Sequence, residues 1–299
     1  MEVKAMVAAK WVSWVGLGTL LLAAKLQAAD NPEWTTPITP FRIVGSLYYV
    51  GSQDLASYLI VTPQGSILIN SNLESSAPLI RRSVEQLGFR FEDIKILLIS
   101  HAHWDHDASS AEIERQTGAA YQVMDGDVAV VESGGEKDFA YPETRYPAAK
   151  VDRVLHDGDT VRLGDVVLIA HKTAGHTRGC TTWTLQVRDG GKLLSVVIVG
   201  SWNVNSGYRL VDRPGQPASY PGIATDYRQT FSLLKSLPCD VFLGAHGGYF
   251  DMLRKLERIR AGASENVWVD PAGYQAAVAE RERAFDDELQ RQELSSNPR

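Results

Sequence analysis

Apolar residues recur along this chain in two rhythms, and each rhythm predicts an element. Unbroken or alternating runs predict strands, and spacings of three to four predict helices. Phe41 to Gly51 and Ser57 to Val61 read as strands, and Ser66 to Ile69 as a returning strand after the turn Pro63-Gln-Gly65. Ala77 to Leu87 sets Leu79, Ile80, Val84 and Leu87 on one helical face, with Gly88 placed to stop it. A strand follows over Ile94–Ile99, then a short helix over Ser109 to Gln116, a strand over Ala120 to Met124 and a helix over Asp125 to Glu132. Residues 133–150 mix glycines, prolines and charges and predict an irregular loop.

From Arg153 the pattern turns to short strands, at Val161 to Leu163, Val166 to Ala170, Thr181 to Val187 and Leu193 to Val199. Asp189-Gly190 marks a hairpin between the last two. Tyr220 to Leu237 predicts a helix, Asp240 to Gly244 a strand, Phe250 to Ile259 a helix, and Pro271 opens a polar terminal helix to about Glu293. Strands and helices thus precede a second set of strands and helices, without a repeat, a low-complexity linker or a domain boundary. The fold class this predicts is α/β, a four-layer αβ/βα sandwich formed by residues 30–299 as one domain.

The N-terminus changes the picture. Lys4 and Lys10 precede an uncharged run from Trp11 to Ala24, and small residues follow at Ala28 and Ala29. This is the layout of a secretory signal peptide over residues 1–29, too short in its apolar part for a comfortable membrane span. Export to the periplasm is therefore expected, with no membrane attachment after cleavage. Removing three lysines and one glutamate takes the net charge from −6 to −8, which argues against non-specific nucleic-acid binding. Two cysteines, Cys180 and Cys239, are too few for a disulfide scaffold, and nothing in their spacing places them together.

The chemistry is concentrated in His101-Ala-His103-Trp-Asp105-His106, directly after the apolar run that ends at Ser100. On extended chain, positions i and i+2 point the same way, so His101 and His103 can grip one ion. Asp105 and His106 follow as the chain curls and can grip a second. Imidazoles with a carboxylate suit zinc. His176, in Thr173-Ala-Gly175-His176-Thr177, and His246, in Leu243-Gly-Ala-His246-Gly247-Gly248, also follow predicted strands and adjoin glycines. Three strand ends that each deliver histidine describe a site built on one rim of a sheet core. His156 and His171 lack that context and are expected to be structural or solvated.

His-x-His-x-Asp-His, a later Gly-His and a last His after a strand resemble the metallo-β-lactamase superfamily, over nearly the whole chain after the leader. Thioesterases, lactonases and nucleases share that fold, so the fold alone names no substrate. Most of those hydrolases carry a metal-bridging aspartate after the hairpin; here Val199-Gly200-Ser201-Trp202-Asn203 stands there. Ser201 makes the chain look like a subclass B3 metallo-β-lactamase, as do Ser206-Gly207-Tyr208-Arg209-Leu210 and Asp226-Tyr227-Arg228. The resemblance implies two zinc ions, the first held by His101, His103 and His176, the second by Asp105, His106 and His246. It implies hydrolysis of the amide of penicillins, cephalosporins and carbapenems by a metal-bound hydroxide, with Asp105 as the catalytic residue that orients it. Ser201 and Asn203 are then substrate-binding residues, the partner is a small-molecule β-lactam, and the chain is a monomer.

The rivals are a secreted lactonase or thioesterase of the same fold, against which Ser201 and the leader count, and a non-catalytic zinc-binding module. Three departures from the family pattern stand out. Asn70 occupies a position where relatives usually have an aspartate supporting the ligand loop, so Asn70→Asp is expected to tighten zinc retention. Asp107-Ala-Ser-Ser110 replaces a small, glycine-rich continuation, and Trp104 is bulky.

Overall fold

A computed structural model describes residues 31–263 and 266–296; the leader expected at residues 1–29 lies outside the described residues. The chain divides into two units, Met1–Pro32 and Glu33–Arg299, and everything below concerns the second. Its first sheet has seven strands in sequence order, β1 (Phe41–Val44), β2 (Leu47–Tyr49), β3 (Tyr58–Thr62), β4 (Gly65–Ile69), β5 (Ile94–Leu98), β6 (Ala120–Met124) and β7 (Arg153–Leu155). Pairing is antiparallel from β1 to β4 and parallel from β4 to β7.

The unbroken apolar runs have a plain cause: both faces of this sheet are buried. Along β3, β4 and β5, Tyr58, Ile60, Ile67, Ile69, Ile96 and Leu98 enter one core, while Leu59, Leu68 and Leu97 enter another. The second core is closed by α1 (Ala77–Gln86) and α3 (Ser110–Thr117), through Ile80, Val84 and Ile113. In the first core, the sheet meets Trp183, Leu185, Val196 and Ile198 of a second sheet. That sheet runs β12 (Val241–Gly244), β11 (Lys192–Val199), β10 (Thr181–Asp189), β9 (Val166–Lys172) and β8 (Thr160–Leu163). Two further helices, α5 (Ile223–Ser236) and α7 (Pro271–Ser296), complete the same core with Phe231 and Phe285. The layers are helix, sheet, sheet, helix, the four-layer αβ/βα sandwich expected.

The departures from the sequence reading are local. Gly45, at a φ of 49°, splits the first predicted strand into the β1–β2 hairpin. Arg153–Leu155 pairs with β6 as an edge strand that its apolar content did not announce. The helix predicted over 125–132 shortens to α4 (Val128–Glu132), and the ligand loop contains a single turn, α2 (Trp104–Asp107). The helix predicted from Phe250 begins later, since a 3₁₀ turn over Gly247–Phe250 precedes α6 (Met252–Arg260). Cys180 and Cys239 are unbonded. Among the described residues, no helix is long and apolar enough to cross a membrane.

Candidate metal centre

Three strands end at one place. His101 follows β5, His176 follows β9 and His246 follows β12. Gly175 makes the second of these turns, with a φ of 134° and no room for a Cβ, which would lie 2.8 Å from the Tyr227 ring. The two sheets are tied together beside the site: Thr181 N donates to Ser100 O at 2.7 Å and Trp183 Nε1 to Ile99 O at 3.1 Å. Ala56 N donates to Ala245 O at 3.0 Å.

The rings of His101, His103 and His176 form a nearly equilateral triangle, with centroids 4.8, 4.7 and 4.7 Å apart, and one donor atom from each lies within 4.8 Å of the others. A second group adjoins it. His106 Nε2 faces His246 Nε2 at 3.1 Å, and Asp105 Oδ2 lies 3.4 Å from the first and 3.7 Å from the second. His101 also falls within 4.8 Å of Asp105 and His106, so it stands at the junction of the two groups. All six residues expected from the sequence as ligands are thus brought together. His156 and His171 are not: His156 is exposed beside Asp159, and His171 Nε2 pairs with Thr184 Oγ1 at 2.9 Å.

The donor chemistry fits a metal. Burial, reinforced by neighbouring histidines, holds His101 and His176 well below the usual imidazole range, and burial takes His103 down to about 4. Burial lowers His106 too, against the pull of Asp105. These rings are neutral at pH 7, which is the ligating form. Burial raises Asp105, but His106, His246 and His103 outweigh it and keep the carboxylate ionised. Ring nitrogens of His101 (Nδ1), His103 (Nε2) and His106 (Nδ1) are buried without a hydrogen-bond partner. Burying ring nitrogens without partners costs free energy, and a cation among the six donors offsets the repulsion between those that face one another, such as His106 Nε2 and His246 Nε2.

Several residues that hold the donors in place had no motif to reveal them. Asp127 accepts from Ala102 N at 2.9 Å and Thr177 Oγ1 at 2.7 Å through Oδ2, and from Gly179 N at 2.8 Å through Oδ1. One carboxylate therefore ties the His101–His103 loop to the His176 turn. Asp138, from the irregular loop, brings Oδ2 within 3.4 Å of His103 Nε2. Asn203 acts first through its backbone: its carbonyl accepts from His176 Nδ1 at 2.8 Å and Tyr227 Oη at 2.6 Å. The Tyr249 hydroxyl stands 3.1 Å from both Ser201 Oγ and Asn203 Nδ2. Ser201 itself is 1% exposed.

The departures from the family pattern also acquire partners. Asn70 Oδ1 accepts from Ser100 N at 2.7 Å and from Ser100 Oγ at 2.9 Å, directly behind His101. Its Nδ2, however, donates to Ala56 O at 3.1 Å. A carboxylate cannot make that bond, so the expectation that aspartate would serve better here is reversed by the geometry. Asp107 is bonded to Ser110 Oγ at 2.6 Å and to the Tyr121 hydroxyl, and Ser110 reaches Ser71 at 2.9 Å. These polar residues knit the ligand loop to β6 and to the turn after β4. Trp104 packs edge-on against Tyr141, 5.1 Å between centroids, and lines a cavity of about 470 Å³ with Leu73, Thr144 and Tyr146.

Ser232 and Lys235 have the Ser-x-x-Lys spacing of a serine nucleophile, but both are exposed on α5 and Lys235 is paired with Glu282 at 2.6 Å.

A family model described as the metallo-beta-lactamase superfamily matches residues 55–246, from the turn before β3 to the last histidine. The chain belongs to the metallo-beta-lactamase superfamily. Among solved structures it is similar to the native FEZ-1 metallo-beta-lactamase from Legionella gormanii, at 52% identity, covering 86% of this chain and 98% of that one, with a TM-score of 0.83. It is also similar to BJP-1, a subclass B3 metallo-beta-lactamase of Bradyrhizobium japonicum, at 37% identity, covering 89% and 98% of the two chains, with a TM-score of 0.80. Likeness to curated proteins is shorter. A probable metallo-hydrolase of Burkholderia pseudomallei (strain 1710b) is 30% identical over 111 residues, 37% of each chain. A hydroxyacylglutathione hydrolase of Jannaschia sp. (strain CCS1) is 27% identical over 128 residues, 42% of each. The chain spans about two fifths of the length of these two curated relatives. It is a metallo-hydrolase of the superfamily, and its neighbours among solved structures include subclass B3 enzymes.

Proposed function

We propose that the protein is a zinc-dependent β-lactamase that opens the amide bond of penicillins, cephalosporins and carbapenems and so confers resistance to them. The observation that carries this reading is the convergence of six donors in a chain 52% identical to a metallo-beta-lactamase across 98% of that enzyme. In this reading His101, His103 and His176 hold one zinc and Asp105, His106 and His246 hold a second. The chain acts as a monomer in the periplasm, after loss of residues 1–29.

Bound zinc supplies Lewis acidity, polarising a carbonyl and bringing the pKa of a bound water toward about 7. The chain's own residues supply the rest. Asp105, kept ionised and buried, orients the attacking water through its carboxylate oxygen, which lies between the facing nitrogens of His106 and His246. Asn203, partly exposed, and the Tyr249 hydroxyl offer donors to a substrate carboxylate, and buried Ser201 holds Tyr249 from behind. Trp104 and Tyr141 wall the mouth beside His103 and keep the substrate's rings against it.

The second reading, a thioesterase of the same fold, draws on the hydroxyacylglutathione hydrolase likeness. Ser201 weighs against it, since a carboxylate is absent from that position. One assay separates the two: hydrolysis of a chromogenic cephalosporin, a carbapenem and a glutathione thioester, each with and without a chelator. Chelator-sensitive turnover of the two β-lactams, with clavulanate-type inhibitors without effect, supports the lactamase. Turnover of the thioester alone rejects it.

A further inference from the structure

Asp54 belongs to no motif and to neither group of donors, yet its carboxylate is fully occupied. Oδ2 accepts from His246 Nδ1 at 2.8 Å and from Trp34 Nε1 at 3.1 Å, and Oδ1 accepts from Gly248 N at 3.0 Å. Its backbone is pinned as well: Gly247 N donates to Asp54 O at 2.6 Å, and the next residue, Leu55, forms an isolated bridge with His246. The side chain therefore cannot swing away from His246 without breaking several bonds at once.

This fixes the state of the His246 ring. An ionised carboxylate accepts only, so Nδ1 carries a proton, and Nε2, which faces His106 Nε2 at 3.1 Å and Asp105 Oδ2 at 3.7 Å, is the nitrogen left for a metal ion. We propose that Asp54 is a positioning residue that sets the tautomer, orientation and basicity of His246 toward a metal ion shared with Asp105 and His106. Trp34 and the Gly248 amide hold the carboxylate for that task. The contrast with His176 supports this assignment, because the Nδ1 of His176 rests on a main-chain carbonyl, Asn203 O, at 2.8 Å. A carboxylate withdraws the Nδ1 proton more strongly than a neutral carbonyl and makes the opposite nitrogen a better donor to metal. The inference rests on the metal reading of the site and is independent of which bond the enzyme hydrolyses.

The test uses the full mature chain, stripped of metal and reloaded with Zn²⁺ alone or Co²⁺ alone. The parent is compared with Asp54→Ala, Asp54→Asn and Trp34→Phe. The readouts are metal affinity by chelator competition, the visible absorption of the Co²⁺ form, and melting of the metal-free protein. Asp54→Ala is expected to weaken one metal equivalent by about 10–100-fold and to change the Co²⁺ spectrum, with the other equivalent unaffected. Asp54→Asn falls between, since an amide oxygen still accepts from Nδ1. Trp34→Phe removes one of the bonds that hold the carboxylate, and is expected to lower the melting temperature and to weaken the same metal equivalent less than Asp54→Ala does. Parent-like affinities and Co²⁺ spectrum in Asp54→Ala overturn the proposal, even if that variant melts early. Equal metal loss in Trp34→Phe overturns it too, because Asp54 is then a structural anchor only. If Asp54→Ala does not fold, Asp54→Asn decides by the same measures, with parent-like binding overturning the proposal. A parent that takes up no metal rejects the metal reading itself, an outcome distinct from the failure of Asp54 alone.

Discussion

The Tyr58 hydroxyl donates to the Gly244 carbonyl at 2.7 Å, joining the first sheet to the second two residues before His246. Both groups are buried, so no water replaces the bond when it is lost. Tyr58→Phe leaves the Gly244 carbonyl without this donor, at a cost of about 1–3 kcal/mol. In a domain of this size each kcal/mol is worth about 2–4 °C of melting temperature. Calorimetry of the metal-free variant checks this, and an unchanged melting temperature contradicts the role given to this bond.

Asn70 makes a sharper case, because sequence and structure point in opposite directions. The side chain uses both ends: Oδ1 on Ser100 and Nδ2 on Ala56 O, with a backbone φ of 69° that asparagine tolerates. Asn70→Asp strengthens the Ser100 side and sets two acceptors against each other at Ala56, 3.1 Å apart. The expected outcome is a lower melting temperature at pH 7 and weaker or equal zinc retention. Tighter zinc binding with unchanged stability, by metal titration and calorimetry, rejects this argument and restores the family-based expectation.

That reversal shows what the sequence can carry. Runs such as Ile67-Leu68-Ile69 and Ile96-Leu97-Leu98 announce a sheet buried on both faces, and the spacing of His101, His103, Asp105 and His106 announces a rim of donors. Both signals are local, so they survive without knowledge of the partners. Asp54, Asp127 and Tyr249 act across 192, 52 and 46 positions respectively, on His246, Gly179 and Asn203. No periodicity encodes such pairs. The direction of the Asn70 amide was illegible for the same reason, since Ala56 is brought to it only by the β3–β4 pairing and the turn that follows.

Glu114 on α3 yields a pH dependence remote from the donors. Burial, with repulsion from Asp152 and Asp107, raises its carboxyl to about 7. A folded-state value above the unfolded one means the native protein holds the proton more tightly, so stability declines as pH rises from the usual carboxylate range through about 7. Glu114→Gln removes that decline. The variant is expected to melt above the parent at pH 8 and level with it near pH 4.5, a condition close to the ordinary glutamate value of about 4.3. Melting curves at the two pH values, read as the difference between variant and parent, test the sign. A gap that does not widen with pH refutes it.

The last comparison separates a metal ligand from its neighbour. Asp105 Oδ2 stands 3.4 and 3.7 Å from the facing nitrogens of His106 and His246, whereas Ser201 Oγ is bonded to Tyr249. Asp105→Ala removes a charged donor together with the residue proposed to orient the attacking water. It is expected to deplete one zinc and to lower kcat/KM by several orders of magnitude. Ser201→Ala removes one hydrogen bond, worth about 0.5–1.5 kcal/mol, or up to about 3 where a charge is involved. That corresponds to roughly 2- to 150-fold in rate or binding, with both zincs retained. Because Ser201 is buried and touches Tyr249, the smaller part of that range is expected, and Tyr249→Phe should reproduce most of it. Metal analysis with cephalosporin kinetics on the purified variants decides the matter. Zinc loss in Ser201→Ala as severe as in Asp105→Ala makes Ser201 a ligand and dissolves the division of the six donors into two triads.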